Sequence, residues 1–236
     1  MSLKLNERQK QIVSMLQRTG EVKISELKEL FSVTDMTLRR DLEKLEQGGI
    51  LRRTYGGAIL VSRDLALRER STVNMAEKEK IGRAAAKRIK PGDSIFIDGG
   101  STTLQIARAL PEKAPVTVVT NAIHVAAELS EKRIPTVVIG GVLLETTNAM
   151  GGTTAVESIS RLAFDKAFLG TTGLSMQHGF SNSNMLEADV KRTAIGRAGE
   201  AYIVMDHSKF GLSALFSFAA LHEVRGIITD RRPPAE

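Results

Sequence analysis

Over the first fifty residues the apolar positions fall at helical spacings. Ile12, Val13 and Leu16 make one side of a first helix, which Asn6 can cap and Thr19-Gly20 stops. Leu27, Leu30 and Phe31 share a side of a second helix, with Ser25 placed to cap it. Leu38, Leu42 and Leu45, at intervals of four and three, predict a third over Asp35–Gln47, ended by Gly48-Gly49. Residues 50–55 and 58–61 then read as two short strands around Gly56-Gly57. Residues 62–76 are polar and charged without a clean period, and read as a linker with room for a helical part. Beyond residue 77 short apolar runs recur at 94–97, 116–120, 136–139, 167–169, 202–205 and 226–229. Helical candidates lie between them at 80–89, 102–110, 122–130, 156–162 and 186–198. Strands that are apolar throughout, and separated by helices, predict a mostly parallel sheet covered on both faces. The expected fold is therefore a small winged helix-turn-helix over residues 1–60, a linker over 61–76, and a Rossmann-like α/β domain over 77–236.

Charge sharpens this division. The 236 residues carry a net charge of +6. Residues 1–90 hold 20 Lys and Arg against 12 Asp and Glu, whereas residues 91–236 hold 13 against 15. A basic end on a near-neutral body suits a polyanion-binding module attached to a second function. There are no cysteines, which excludes a disulfide framework, zinc–thiolate sites and a cysteine nucleophile, and fits a reducing cytosol. The polar start shows no secretory signal, and no apolar run approaches the roughly 18 residues of a membrane-spanning helix. A cytoplasmic protein without a membrane partner is expected.

The third helix carries the first candidate chemistry. Met36, Thr37, Arg40 and Lys44 lie opposite its leucines, with Arg39 on the flank. Such a face suits the major groove, Thr37 and Arg40 near base edges and the other cations near phosphates. Arg52, Arg53, Tyr55 and Gly56 would form a wing reaching phosphates or the minor groove. The competing reading is a protein-docking module in which Arg39 and Arg40 pair with Asp41 and Glu43.

The second candidate lies in the larger domain. Asp98 ends a strand and leads into Gly99-Gly100-Ser101-Thr102-Thr103 before a helix, a glycine-and-hydroxyl turn able to cradle a phosphate. It is neither a P-loop nor a dinucleotide fingerprint, and an ordinary strand-to-helix turn is the plainer reading. Asn121, Gly141 and Lys209 also follow predicted strands, Gly152 opens a later segment, and ligands of open parallel sheets bind beyond the strands' carboxyl ends. A small phosphorylated, hydroxyl-rich effector would suit this set: phosphate on residues 99–103, hydroxyls read by Asp98, Asn121 and Asn184 or Glu187, and Lys209 paired to the phosphate. Asn121 serves equally as a helix cap; the alternative for Lys209 is a surface lysine, and Glu187 and Lys191, four apart on one helix, either face the pocket or form a surface ion pair. The four histidines show no metal spacing, and neither a metal nor another cofactor is expected.

The run Phe31-Ser32-Val33-Thr34-Asp35-Met36-Thr37-Leu38-Arg39-Arg40-Asp41-Leu42, followed by Leu45, Gly49, Leu51, Arg53, Gly56, Gly57 and Ala58, resembles the winged helix-turn-helix signature of the DeoR family of bacterial transcriptional regulators. Thr34 stands where that pattern commonly has serine, and Tyr55 where it often has histidine, departures that bear on the operator sequence. The second half also follows the family's order, through Asp165, Phe168, Gly170, Gly173, Gly179, Glu187, Lys191, Asp206, Ser208, Lys209, Phe210, Gly211 and Ile228-Thr229-Asp230. The resemblance implies a sensor domain similar in fold to ribose-5-phosphate isomerase, with phosphorylated sugars as effectors. The function expected is thus a sequence-specific repressor of carbohydrate-metabolism genes, bound to double-stranded operator DNA as a homodimer or homotetramer. The alternative is a sugar-phosphate isomerase with a DNA-binding appendage. It has carboxylates to offer but no motif that sets a base beside an electrophile.

Overall fold

The computed structural model describes residues 5–19, 21–47, 50–60 and 67–232, and of Gln17, Arg18, Arg52, Ile59, Leu60, Arg68 and Glu69 only the backbone. The glycines read as helix stops (Gly20, Gly48 and Gly49), residue 61 of the second predicted wing strand, and residues 62–66 of the predicted linker lie outside it. The chain divides into two compact units, Met1–Leu65 and Ala66–Glu236.

The first unit runs α1 (Glu7–Thr19), β1 (Glu21–Lys23), α2 (Ile24–Phe31), α3 (Asp35–Gln47), β2 (Leu51–Thr54) and β3 (Gly57–Leu60). Asn6 caps α1 as predicted: its Oδ1 accepts from the Gln9 amide at 2.9 Å, and Gln9 Oε1 accepts from the Asn6 amide at 3.1 Å. Ser25 does not cap α2. The helix begins one residue earlier, at Ile24, whose amide is already bonded to the Gly56 carbonyl at 2.9 Å. That leaves β1 running straight into α2 with Lys23 at the cap position. Ile12, Leu16, Leu27, Leu38, Leu42 and Leu45 close one core with Val22, Leu51 and Ala58. The strands form an antiparallel sheet in the order β1-β3-β2. At Gly57 a Cβ would stand 1.9 Å from the Val22 carbonyl oxygen, so only glycine lets β1 approach the wing.

The second unit contains α4 (Leu67–Arg70), α5 (Met75–Ala86), β4 (Ser94–Ile97), α6 (Leu104–Ala109), β5 (Thr117–Thr120), α7 (Ile123–Glu131), β6 (Thr136–Val138), β7 (Val142–Leu144), β8 (Ala149–Gly151), α8 (Thr153–Ser160), β9 (Phe164–Leu169), β10 (Gly173–Ser175), β11 (Gly179–Asn182), α9 (Met185–Gly196), β12 (Ala198–Val204), β13 (Phe216–Ala219) and β14 (Gly226–Ile228). Six strands make one parallel sheet in the order β14-β12-β9-β4-β5-β6. Alternate residues feed two cores. Ile95, Ile97 and Phe168 join α5, α6 and α7 on one face, while Phe96, Ala167 and Leu169 join α8 and α9 on the other.

The chain leaves β4 outward through β5 and β6, then returns to β4's other side with β9. The topological switch point is therefore between β4 and β9. The structure extends the sequence reading in three places. Helix α4 and the start of α5 occupy part of the stretch read as a linker. Strand β9 starts at Phe164 rather than residue 167, because the polar residues that hid its start have partners: Lys166 with Asp93 at 2.7 Å, and Asp165 with the Ser94 amide at 2.7 Å. The short antiparallel pairs β7-β8 and β10-β11-β13 were not foreseen, since three- and four-residue strands carry too few positions to show a period.

Candidate nucleic-acid interface and effector site

Helix α3 buries Leu38, Leu42 and Leu45 and leaves Met36, Arg39, Arg40 and Lys44 exposed, with Thr37 half-buried. Thr34 and Thr37 stand at the start of the helix, their hydroxyls 3.0 Å apart, and the Thr34 carbonyl accepts from the Thr37 amide at 3.0 Å. The protein-docking alternative paired the arginines with Asp41 and Glu43. Asp41 is instead buried, bonded to Arg8 Nε at 2.5 Å and Gln9 Nε2 at 2.8 Å. Among the described residues neither Arg39 nor Arg40 forms a salt bridge. Both cations are held outward by a fold that has spent the nearest buried carboxylate elsewhere.

The wing presents Tyr55, fully exposed, next to Gly56 at its turn. Arg53 is less available than its sequence position suggested. Glu46 accepts from its amide at 2.8 Å and from its Nε at 2.6 Å. The Arg53 backbone amide, then its guanidinium, hold Glu46 below the usual carboxylate range.

In the second unit the residues read as effector contacts separate into those that hold the fold and those gathered at the switch point. Asp98 lies there and is buried, its Oδ2 accepting from the Gly170 amide at 3.1 Å and from Lys191 Nζ. Lys191, which also reaches the Gly170 carbonyl at 3.0 Å, is 2% exposed. The sequence reading of Glu187 and Lys191 as a surface pair is thus overturned: Lys191 bonds Asp98, the residue after β4, and the buried Glu187 accepts from Asn182 Nδ2. The turn Gly99-Gly100-Ser101-Thr102-Thr103 is also buried or nearly so. Helix α6 starts at Leu104, not 102, and has six residues, so its dipole adds little to a cradle. Thr103 is fully buried and its hydroxyl donates to the Gly100 carbonyl at 3.0 Å, which fixes the turn.

Asn121 is not a helix cap, because Ala122 occupies that position of α7. Its Nδ2 donates to the Met150 carbonyl at 2.7 Å, while the Met150 amide donates back to the Asn121 carbonyl at 2.7 Å. This clamp lays β8 across the ends of β4 and β5, where a Cβ on Gly99 would meet Ala149 Cβ at 2.6 Å. Asn184 is a cap, accepting from the amides of Leu186 at 2.8 Å and Glu187 at 3.4 Å. Backbone conformation accounts for Gly141 and Gly152, at φ of 150° and 86°.

Sequence reasoning missed several groups. Lys78, on α5, is buried and donates to the Arg70 carbonyl at 2.6 Å. Burial drives its pKa down to about 8, against the pull of Asp206 and with the push of Lys209 and Arg70. Burial alone would raise the pKa of Asp206, but Lys209, the Ser208 hydroxyl, Lys78 and Asn74 together lower it. Lys209 therefore lies in the field of Lys78 and Asp206. His124 is depressed by burial and by Arg70, although the Gly100 and Asn148 backbone and Asp98 pull it up. Among the described residues, the buried side-chain polar atoms without a hydrogen-bond partner fall on segments around this one region. They include Nε and Nη2 of Arg70, Oδ1 of Asn121, Oγ1 of Thr147, Oδ1 of Asn182 and Oγ of Ser183. No described group of His, Asp and Glu could hold a metal, and no helix among the described residues is long and apolar enough to cross a membrane.

Residues 8–64 match the DeoR-like helix-turn-helix domain, and residues 73–231 match the DeoR C terminal sensor domain. The chain is 37% identical over 228 residues to the uncharacterized HTH-type transcriptional regulator YulB of Bacillus subtilis, covering 95% of this chain and 88% of that one. It is 32% identical to the glycerol-3-phosphate regulon repressor of Escherichia coli (98% of this chain, 93% of that one), and 32% identical to a putative aga operon transcriptional repressor of Escherichia coli O157:H7 (98% and 88%). Among solved structures, the delta subunit of eIF2B from Chaetomium thermophilum shares the fold at 19% identity and a TM-score of 0.50, over 70% of this chain and 58% of that one. Ribose 5-phosphate isomerase A from Methanocaldococcus jannaschii aligns at a TM-score of 0.44 and 19% identity, over 58% and 55% of the two chains. The three relatives matched in sequence are named as regulators or repressors, which sets the isomerase alternative aside. The face of α3, the wing and the α/β unit are those of a DNA-binding transcriptional regulator with a C-terminal sensor domain, and the chain belongs to the DeoR family.

Proposed function

We propose that this regulator represses carbohydrate-metabolism genes in the cytoplasm, and that a phosphorylated sugar bound beyond the ends of β4, β5 and β9 changes its affinity for operator DNA. The observation that carries the reading is the concentration of unpaired, buried polar groups at that one place. Buried polar atoms are nearly always bonded, so a cluster of orphans is costly unless a polar ligand satisfies it. Lys78, Arg70 and Lys209 give the region cationic character, which suits an anionic head, and Asn121, Thr147, Asn182 and Ser183 suit hydroxyls. The name of one relative, the glycerol-3-phosphate regulon repressor, supports a small phosphorylated, hydroxyl-bearing ligand.

At the DNA end, Thr37 and Arg40 read bases, Met36 packs against them, and Arg39, Lys44, Arg52, Tyr55 and Gly56 approach the backbone or minor groove. Thr34 acts by fixing the start of α3. A homodimer or homotetramer supplies two recognition helices to a repeated site. A thermal-shift panel of sugar phosphates against their unphosphorylated sugars tests the effector class, since a ligand of the native state raises the melting temperature. A response to the free sugars alone, or to neither set, would overturn it.

A further inference from the structure

Arg70 is the strongest unexplained group in the second unit. It closes the short helix α4, a few residues beyond the boundary at Leu65. The backbone around it is pinned at both ends: the Leu67 amide donates to the Thr146 carbonyl at 2.8 Å, and Lys78 Nζ donates to the Arg70 carbonyl at 2.6 Å. The guanidinium is not. Its Nε and Nη2 are buried and have no hydrogen-bond partner, although an arginine is always charged and the field of donors it carries is costly to leave unmet. The position is also central. Arg70 lies close enough to His124 and to Lys78 for its charge to act on both; His124 also feels Asp98 and the Gly100 backbone, and Lys78 feels Asp206 and Lys209.

Resting on the effector reading above, we infer that Arg70 is the residue that takes the anionic group of the effector: a planar fork, held in place by its backbone and left unpaired for a phosphate to fill. Two parallel N–H···O bonds from one guanidinium fit a tetrahedral oxyanion better than a lysine's point charge does. Filling the fork also ties the ligand to the chain just after the DNA-binding unit, so occupancy of the sensor is felt where the two units are joined in sequence.

The test uses the full chain, with inorganic phosphate as probe and potassium chloride at matched ionic strength as control. Wild type, Arg70→Met and Arg70→Lys are compared by thermal melting and by amide hydrogen exchange of the segment around residues 67–78. The expected result has three parts. Phosphate stabilises the wild type and slows exchange in that segment. Without phosphate, Arg70→Met melts at or above the wild-type temperature, because an unpaired buried charge has been removed. Arg70→Met also binds phosphate at least about 10-fold more weakly, the loss expected for one charged hydrogen-bonding group, and Arg70→Lys keeps part of the response. An Arg70→Met protein that melts lower and responds to phosphate as the wild type does would make Arg70 a structural residue and overturn the inference alone. A wild type that ignores phosphate and sugar phosphates but is stabilised by an unphosphorylated sugar would overturn the effector reading, and this assignment with it.

Discussion

Asp98 and Lys191 show how a residue's neighbours decide its role. Each is a charge inside the protein, and each is tolerable only because the other is there. Asp98→Asn is expected to destabilise the second unit by about 3–5 kcal/mol by leaving Lys191 buried and unpaired, which urea unfolding will measure. Lys78 has no such full compensation, and its depressed pKa links stability to pH. Below about pH 8 the folded protein must carry the buried charge; between about 8 and the unfolded value of 10.5 the folded form has released a proton that the unfolded form still holds. Stability contributed by this site therefore rises across that window, by on the order of 3 kcal/mol at most. Lys78→Met removes the rise, and the difference between the two pH–stability curves isolates it from the opposing effect of Tyr202, whose burial raises its pKa. On α3, Arg40→Ala is expected to cost about 1–3 kcal/mol at a specific operator, whereas Lys44→Ala weakens all sequences alike and lowers the salt slope by about one. Fluorescence anisotropy against operator and random duplexes at several salt concentrations separates the two.

At the scale of elements, ends matter more than middles. Helix α9 carries Lys191 to Asp98 and Gly170 at the switch point, and its first turn is held by Asn184. Asn184→Ala should cost about 1 kcal/mol of stability while leaving the affinity for sugar phosphates unchanged, because the side chain is spent on Leu186 and Glu187. Asn121→Ala should do more, loosening the clamp between β5 and β8 and weakening effector binding together. Calorimetry on both variants distinguishes a cap from a site residue. The wing offers a steric test: Gly57→Ala puts a methyl where the Val22 carbonyl already stands, so β1 must part from β3 and the first unit must lose cooperativity in melting.

For the whole molecule, two units on one chain make regulation a coupling of free energies. The effector can change operator affinity only by as much as it prefers one arrangement of the DNA-binding modules, an effect expected at about 1–3 kcal/mol. Removing residues 1–65 should abolish operator binding and leave sugar-phosphate stabilisation intact, since the second unit has its own two cores. Light scattering at micromolar concentration should find at least a dimer. A monomer in the presence of DNA would count against the two-helix reading of the operator.

The elements whose period is long enough to repeat were legible in the sequence. The leucines of α3, the apolar runs of the parallel sheet, the basic first unit and the glycine turn after β4 are local properties of neighbouring residues, and local spacing dictates them. What the sequence could not decide is which polar residues meet. Asp41 binds Arg8, Asp98 binds Lys191, Arg53 binds Glu46, and Asn184 turns on its own helix, so that residues of one chemical type divide between holding the fold and remaining available. Arg70, in a stretch without period, offered no local signal. Its significance arises only when the strand order reverses between β4 and β9 and a guanidinium is folded into a place where no described residue bonds its Nε and Nη2. Pairing across many residues is set by topology and by the cost of burying an unmet charge, and only the tertiary structure resolves both.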